Sequence, residues 1–443
     1  MMAARLHVLL ILGLVVGFGV PAPADMLGHG GMVRAIAVSP DGERVLSGGF
    51  DYTARLWDFV EQKTIAVLDA HEGPVNAVAW LPGDRALTGS DDGTAILWDL
   101  AARKPIRRLV GHKGKVMAVA ATADGRIAAT GAWDRTVRLW DLATGKTLWV
   151  LDHPGNITAL AFTSDGRRLV TGGYDGVLRI WRDGRETGQL RGHSWVVTSV
   201  AISPDGRYVF SASTDRTVRL WDLAAMREIA VLAHHDDPVY GIAVAPDGKT
   251  ALWGGRDGVL QLWDMARRAF RRAIRTHVRP VWAVAYAGGG QFGISAGSDG
   301  ALRVWHLETG DRIGIPGEGD AGPKPWLTSD HPGARFYRKC AVCHSLKPGI
   351  AHRSGPPLAG LFGRRVGSVP GYNYSSALRD AEFQWNERTL FALFDKGPDV
   401  FLPGTKMPVQ RIPHPEDLHQ LIDYLRVLTA VTPDGATETE KGR

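Results

Sequence analysis

The sequence predicts an all-β seven-bladed propeller followed by an all-α domain. Tryptophans recur every 40–42 residues from Trp57 to Trp305, and each lies in a short segment of alternating apolar and polar residues, which is typical of a strand. The period stops near residue 316, and apolar residues then recur every three to four positions, as in an amphipathic helix. With 443 residues, the chain is long enough for both parts, and its two cysteines exclude a disulfide scaffold.

Four residues at fixed distances mark each of the seven repeats. The tryptophans are Trp57, Trp98, Trp140, Trp181, Trp221, Trp263 and Trp305. Six residues before them lie Asp51, Asp92, Asp134, Asp175, Asp215, Asp257 and Asp299. About 28 residues before them lie His29, His71, His112, His153, His193, His235 and His277. Ten residues before six of them lie Ser47, Thr88, Thr130, Thr171, Ser211 and Ser295, and the sixth repeat has Trp253 there instead.

Each repeat has the length of one four-stranded antiparallel sheet. Segments such as VRAIAVS, RVLSGGF and TARLWD predict three strands, and Asp-Gly turns suit the hairpins between them. A segment such as TIAVL or EIAVL follows the tryptophan and supplies a fourth strand. One such sheet cannot bury both of its faces, but seven sheets packed side by side in a ring can.

Residues 29–315 resemble the WD40-repeat family, in which Gly-His opens and Trp-Asp closes most repeats. Trp-Asp is intact in five repeats and becomes Trp-Arg at 181–182 and Trp-His at 305–306. The resemblance implies that the histidine, hydroxyl residue, aspartate and tryptophan of one blade form a hydrogen-bonded chain. We therefore expect these histidines and aspartates to be structural rather than metal ligands or acid–base groups. The lost hydroxyl at Trp253 is expected to weaken one blade's chain.

The resemblance also implies that the propeller docks other proteins. Four tryptophans outside the repeat positions either form an interaction surface or pack internally: Trp133, Trp149, Trp195 and Trp282. We expect the ring to close mainly through residues 312–315, because only residues 25–27 precede the first repeat in the expected mature chain.

Residues 1–24 have the three-part form of a secretory signal peptide, with Arg5, an apolar run over 6–20 and Ala-Pro-Ala at 22–24. The run is shorter than the roughly 20 residues that span a bilayer, so cleavage is favoured over an uncleaved anchor. We expect the propeller over 25–316, a linker over 317–326, the all-α domain over 327–431 and a flexible tail over 432–443. The mature protein is then expected in the periplasm, with no integral membrane span after cleavage.

Both cysteines lie in Cys-Ala-Val-Cys-His, the attachment signature of c-type haem. Two thiols separated by two residues, Cys340 and Cys343, reach the two vinyl groups of one porphyrin as thioethers, and His344 is then brought under the iron. A disulfide, a thioredoxin-like redox pair and half a zinc site are the alternatives. The zinc alternative lacks a second Cys/His pair, and the redox alternative lacks a surrounding βαβ pattern.

Residues 333–429 resemble class I cytochrome c of the mitochondrial and bacterial c2 type. The motifs that carry the resemblance are GARFYRKCAVCHSL, HRSGPPLAGLFGRRVG, PGYNYSSAL, PGTKMP and LIDYL. The resemblance implies one covalent haem c with His344 and Met407 as its axial ligands, and a Pro356 carbonyl that accepts a hydrogen bond from His344. It further implies contacts to the haem propionates from Tyr374, Trp385 and Thr405, with Arg364 nearby.

These expectations together describe an exported electron carrier rather than an enzyme. Its single haem passes one electron between redox protein partners, a donor and an acceptor, while the propeller serves as the docking module. A haem-containing scaffold or redox sensor is the alternative, and a peroxidase or nitrite-reductase-like enzyme is a further one, disfavoured because Met407 would block the iron. A net charge of +6 without long Lys/Arg runs does not indicate a nucleic-acid partner.

Overall fold

The computed structural model of the chain describes residues 25–278, 280–313, 329–344, 346, 355–370, 372, 374–405, 407 and 411–430. The expected signal peptide (1–24), linker (317–326) and tail (432–443) lie outside the described residues.

The propeller consists of seven antiparallel sheets, and six of them have their strands in sequence order from the centre outwards. The innermost strands are β2 (Val33–Val38), β6 (Val75–Leu81), β10 (Val116–Ala121), β14 (Ile157–Phe162), β18 (Val197–Ile202), β22 (Val239–Val244) and β26 (Val281–Ala287). The second strands are β3 (Arg44–Gly49), β7 (Arg85–Ser90), β11 (Ile127–Ala132), β15 (Leu169–Gly173), β19 (Tyr208–Ser213), β23 (Thr250–Gly255) and β27 (Phe292–Gly297).

The third strands end in the repeat tryptophans. They are β4 (Ala54–Asp58), β8 (Thr94–Asp99), β12 (Thr136–Asp141), β16 (Leu178–Arg182), β20 (Thr217–Asp222), β24 (Val259–Asp264) and β28 (Ala301–His306). The outermost strands of six blades are β5 (Thr64–Leu68), β9 (Lys104–Val110), β13 (Thr147–Asp152), β17 (Arg185–Leu190), β21 (Arg227–His234) and β25 (Ala269–Arg275). Strand β2 contacts β26, so the first and seventh blades are neighbours and the ring is closed.

Apolar side chains fill the spaces between blades rather than a single central core. Seven clusters of buried residues each contain side chains from two neighbouring blades. One of them joins Leu46 and Leu56 of the first blade to Val75 and Trp98 of the second. Each blade therefore buries both faces against its two neighbours, which is why the repeat is stable only as part of the ring.

The seventh blade is completed from both ends of the described propeller. Strand β1 (Met26–Leu27) pairs with β28 through Met26 and Leu302, while β29 (Arg312–Ile313) pairs with the same strand through Ile313 and Val304. Met26 is fully buried, and the guanidinium of Arg312 pairs with the carboxylate of Asp25. The C-terminal segment pairs with β28 as expected, but it shares the closure with residues 26–27, which pair with the other half of the same strand.

A hydrogen-bonded chain runs through each blade from the buried tryptophan to the loop. In the first blade, the Trp57 indole N–H donates to Ser47 Oγ at 2.8 Å, and Ser47 Oγ lies 2.7 Å from His29 Nε2. His29 Nδ1 lies 3.0 Å from the Asp51 carboxylate. The second, third, fifth and seventh blades repeat all of these contacts. The structural role predicted for these residues is confirmed.

Two blades alter the chain. In the fourth blade, His153 Nδ1 lies 3.1 Å from the backbone oxygen of Leu151, and Asp175 pairs instead with Arg179 at 2.7 Å. In the sixth blade, the Trp253 indole N–H donates directly to His235 Nε2 at 2.8 Å, which replaces the lost hydroxyl. The sixth chain is thus shortened, because the hydroxyl that would accept from the Trp263 indole is absent.

The described residues of the C-terminal region, between 329 and 430, form five helices: α1 (Ala334–Cys343), α2 (Ser376–Arg379), α3 (Glu387–Lys396), α4 (Pro398–Phe401) and α5 (Pro415–Thr429). Two are single turns, and Arg365 and Gln384 form an isolated antiparallel bridge. The expected all-α domain is therefore wrong: helix is a minor part of this chain, and non-helical segments make up much of the region. Prolines and glycines with positive φ, such as Gly360 and Gly367, prevent continuous helix there.

Helices α1, α3 and α5 share one apolar core. Leu390, Leu418 and Leu421 lie in it with Tyr337 of α1. Gly333, the N-cap of α1, lies against α5: a Cβ atom added there would lie 2.0 Å from the Gln420 carbonyl oxygen. Only glycine allows this approach.

We predict that Asp92→Asn reduces the dependence of propeller stability on acid. Burial raises the pKa of Asp92, but hydrogen bonds from His71 and Thr94 outweigh burial and hold it well below its ordinary value. A carboxyl with a lowered native pKa stabilises the fold above its unfolded pKa of about 3.9 and loses this contribution as the pH falls through the native pKa. The free energy of unfolding of the natural protein should therefore fall below about pH 4, and less steeply in the variant.

The measurement is urea unfolding followed by tryptophan fluorescence between neutral and strongly acidic pH. Glu61→Gln, at an exposed turn residue, is the control and should leave the acid dependence unchanged. An acid dependence of Asp92→Asn equal to that of the natural protein would contradict the prediction.

We predict that Gly333→Ala loosens the contact between α1 and α5. The added methyl group cannot fit beside Gln420, and such overpacking costs about 1–3 kcal/mol. Hydrogen exchange of the α5 amides, followed by mass spectrometry, should show faster exchange. Arg388→Ala is the control, because it truncates an exposed side chain of α3 and should leave the exchange of the α5 amides unchanged. Equal exchange in Gly333→Ala and the natural protein would show that the helices are not held this closely.

Candidate functional site

The Cys-Ala-Val-Cys-His motif lies at the C-terminal end of α1. Cys340 is buried in the core shared by α1, α3 and α5. Cys343 is the last residue of the helix, and its expected thioether bond concerns a side chain outside those described. His344 leaves the helix in an extended conformation while its backbone N–H donates to the Cys340 carbonyl oxygen at 2.9 Å. The helix end therefore positions all three residues of the motif as neighbours.

The His344 ring is oriented by a backbone carbonyl. His344 Nδ1 lies 2.8 Å from the Pro356 carbonyl oxygen, the contact that the sequence predicts. A carbonyl only accepts, so Nδ1 carries the proton and donates. Nε2 is then left with its lone pair, which is the state in which an imidazole ligates a metal.

Arg364, Tyr374 and Trp385 come together beside this core. The Trp385 backbone N–H donates to the Arg364 carbonyl oxygen at 2.9 Å, and Arg364 Nη1 donates to the Ala359 carbonyl oxygen at 2.9 Å. Burial lowers the pKa of Arg364, with the nearby Tyr374 acting in the opposite direction. Burial also raises the pKa of Tyr374, whose hydroxyl accepts a hydrogen bond from the Val369 N–H at 3.3 Å.

Arg364 has no carboxylate partner among the described residues. A partly buried guanidinium without a counter-ion is suited to receive a carboxylate from a ligand. The residues expected around the haem propionates therefore fit such a group, although their role stays a prediction.

Thr405 and Met407 form a separate local unit after α4. The Met407 backbone N–H donates to Thr405 Oγ1 at 3.2 Å, and the Thr405 N–H donates to the Leu402 carbonyl oxygen at 3.0 Å. Met407 is partly buried and packs against the same core as Cys340 and Trp385. The structure thus brings Cys340, Trp385 and Met407 to one core, and the ligand contacts of the expected site residues stay predictions.

Two residues that sequence reasoning did not single out matter for the site. Gly333 permits the close approach of α1 and α5, and a single glycine before a helix gives no signal of this. Tyr372 lies near the first blade: burial raises its pKa, and the charge of Asp69 raises it further. The neighbouring Tyr-Asn-Tyr spacing could have drawn attention to Tyr372, but nothing in the sequence connects it with Asp69.

The four additional tryptophans do not form one surface. Trp133 and Trp195 are exposed in loops that carry the repeat aspartates and histidines, and Trp133 contacts Tyr174 edge-on at 6.1 Å between ring centroids. Trp149 lies on the outer strand β13, whereas Trp282 lines the central channel. We call Trp133, Trp195 and Tyr174 together the aromatic surface.

Nowhere in the described ranges do three or more His, Cys, Asp or Glu side chains gather as a possible metal-ion site. None of the helices in the described part of the chain has the length and apolar character that crossing a membrane requires.

The chain matches known proteins over two stretches of different character. The family model "WD domain, G-beta repeat" matches seven times, at residues 23–58, 62–99, 103–141, 145–182, 184–222, 226–264 and 269–306. Cytochrome c of Gossypium barbadense is 43% identical over 95 residues, which are 21% of this chain and 85% of the relative. Cytochrome c of Cochliobolus lunatus is 43% identical over 90 residues, which are 20% of this chain and 82% of the relative.

Each of the seven family matches spans the outermost strand of one blade and the three inner strands of the next. The cytochromes c are matched over most of their own length. The chain therefore belongs to the WD40-repeat family and, over about a fifth of its length, to the cytochrome c family.

Proposed function

We propose that the protein carries single electrons through one haem c held by the C-terminal region, and that the propeller docks its redox protein partners. The observation that carries the proposal is the hydrogen bond from His344 Nδ1 to the Pro356 carbonyl oxygen. It orients an imidazole for metal ligation directly after a Cys-x-x-Cys pair. The identity to cytochromes c supports the same assignment.

The residues of the C-terminal region divide the work of holding such a group. Cys340 and Cys343 would attach it, and His344 and Met407 would be its axial ligands. Arg364, Tyr374, Trp385 and Thr405 would hold its carboxylates. When bound, a haem with two axial ligands supplies a reversible one-electron couple, and a Met/His pair raises its potential. The apolar core around Cys340 excludes water and so limits the reorganisation that accompanies electron transfer.

The propeller is suited to protein docking, and the aromatic surface is our proposed contact for a redox partner. Trp195 is 66% exposed, and exposed aromatic side chains on rigid loops are common anchors at protein interfaces. When a partner docks on the propeller, the redox centre in the same chain is already close to it, so electron transfer becomes nearly intramolecular. We further propose that the protein is exported to the periplasm, which would fit the covalent attachment of haem outside the cytoplasm.

We predict that the protein retains haem after denaturing extraction when it is produced in cells that mature c-type cytochromes. The double variant Cys340→Ala/Cys343→Ala should lose all covalent haem, because no thiol remains to form a thioether. The control is Ser298→Ala in the propeller, which should retain haem at the natural stoichiometry. A natural protein without covalent haem, observed by absorbance and intact mass, would contradict the proposal.

We predict that Met407→His lowers the reduction potential of the haem protein. Replacing a thioether with an imidazole favours ferric iron and so lowers the reduction potential. Axial ligands set haem potentials over a range of roughly 0.8 V, and the decrease should be a fraction of that range. Potentiometric titration measures the change, and Met226→Leu in the propeller should leave the potential unaltered. An unchanged potential would exclude Met407 as a ligand, and a high-spin ferric natural protein would favour a haem enzyme.

A further inference from the structure

The entrance of the propeller channel is lined by one residue from each blade. The second residue of every innermost strand lies at a β-bulge, where the pairing with the next strand shifts by one residue. A bulge redirects its side chain, and here the redirected side chains line one cavity. They are Arg34, Asn76, Met117, Thr158, Thr198, Tyr240 and Trp282.

Arg34 is held in place by aromatic rings. Its guanidinium lies over the Trp282 indole, 4.7 Å from the ring centroid. Trp282 in turn stacks on Tyr240, with centroids 4.3 Å apart and planes inclined by 17°. The Trp282 N–H donates to Ser298 Oγ at 2.7 Å, which fixes the indole. The guanidinium is therefore presented by a preorganised three-layer stack, with its edge donors left for other partners.

Those edge donors have no partner within the described part of the chain. Arg34 makes no hydrogen bond or ion pair there, and the other described side chains that line the cavity are uncharged. Burial lowers the pKa of Arg34, because the charged guanidinium loses solvation and has no counter-ion to compensate. A partly buried cation without a counter-ion attracts anions.

Asn76, on the wall of the same cavity, carries an unsatisfied acceptor. Its Nδ2 donates to Asp91 Oδ1 at 2.7 Å and to the Val116 carbonyl oxygen at 3.1 Å, which fixes the orientation of the amide. Its Oδ1 is buried and has no hydrogen-bond partner. Asp91 is itself neutralised by an ion pair with Lys115, so Arg34 remains the unpaired charge. A buried acceptor of this kind is satisfied by an O–H or N–H group of a ligand.

We propose that this channel entrance binds a small hydroxycarboxylate, whose carboxylate pairs with Arg34 and whose hydroxyl donates to Asn76 Oδ1. The cavity volume of about 240 Å³ suits a molecule of a few heavy atoms, since pockets for drug-sized ligands hold roughly 300–1,000 Å³. One guanidinium matches the single charge of a carboxylate, whereas phosphate is usually held by several donors or a helix N-terminus. The apolar side chains of Met117, Ile36 and Val78 suit a short carbon skeleton.

The test is isothermal titration calorimetry of the full-length protein with lactate, propionate and inorganic phosphate. We expect saturable binding of lactate at millimolar concentrations, weaker binding of propionate, which lacks the hydroxyl, and weaker binding of phosphate. Arg34→Gln should weaken lactate binding at least about tenfold, since a charge-assisted hydrogen bond is lost. Arg275→Gln removes the same charge at an exposed position of β25 and should leave binding unchanged.

The proposal is overturned if lactate does not bind, or if Arg34→Gln binds it as the natural protein does. Propionate binding as tight as lactate would remove Asn76 from the site, and tighter binding of phosphate would contradict the carboxylate assignment. Circular dichroism and thermal unfolding check that the variants are folded. Should Arg34→Gln fail to fold, Arg34→Lys keeps the charge without the planar fork and should bind lactate with intermediate affinity. None of these outcomes depends on haem in the C-terminal region.

Discussion

The structure depends on the burial of one tryptophan per blade, because each buried indole N–H needs a hydrogen-bond acceptor. Six blades supply a serine or threonine hydroxyl that accepts from the indole and lies against a histidine, and in five of these an aspartate continues the chain to the loop. The chain ties the outer part of a sheet to the loop beside its innermost strand. The histidines and aspartates of the repeats, which could otherwise suggest a catalytic or metal site, therefore have a structural role. The loops and the channel of the propeller remain for binding.

This part of the fold could be predicted well from the sequence, because the same hydrogen-bonding residues recur in seven repeats. A period of 40–42 residues predicts the blade count, and the spacing from histidine to tryptophan predicts which groups meet. The regular repeat does not predict how individual blades depart from it. Trp253 bypasses the missing hydroxyl by donating directly to His235. The second closing strand, Met26–Leu27, has two residues and is too short to be recognised from a pattern.

The C-terminal region was predicted less completely. The motif at 340–344 indicates its chemistry, and the contact from His344 to Pro356 follows from a family resemblance rather than from spacing. The all-α expectation failed because a helical pattern seen in part of the region was extended to all of it, although glycines with positive φ interrupt it. The close approach at Gly333 and the proximity of Tyr372 to Asp69 depend on tertiary packing, which local patterns do not encode.

We propose a division of labour in which the propeller is a binding scaffold and one redox centre lies in the C-terminal region. The most direct test is a potentiometric titration of the full-length protein followed by visible absorbance, together with its haem content per chain. We expect one haem per polypeptide and a single one-electron transition. Absence of a haem transition, or more than one haem per chain, would contradict it.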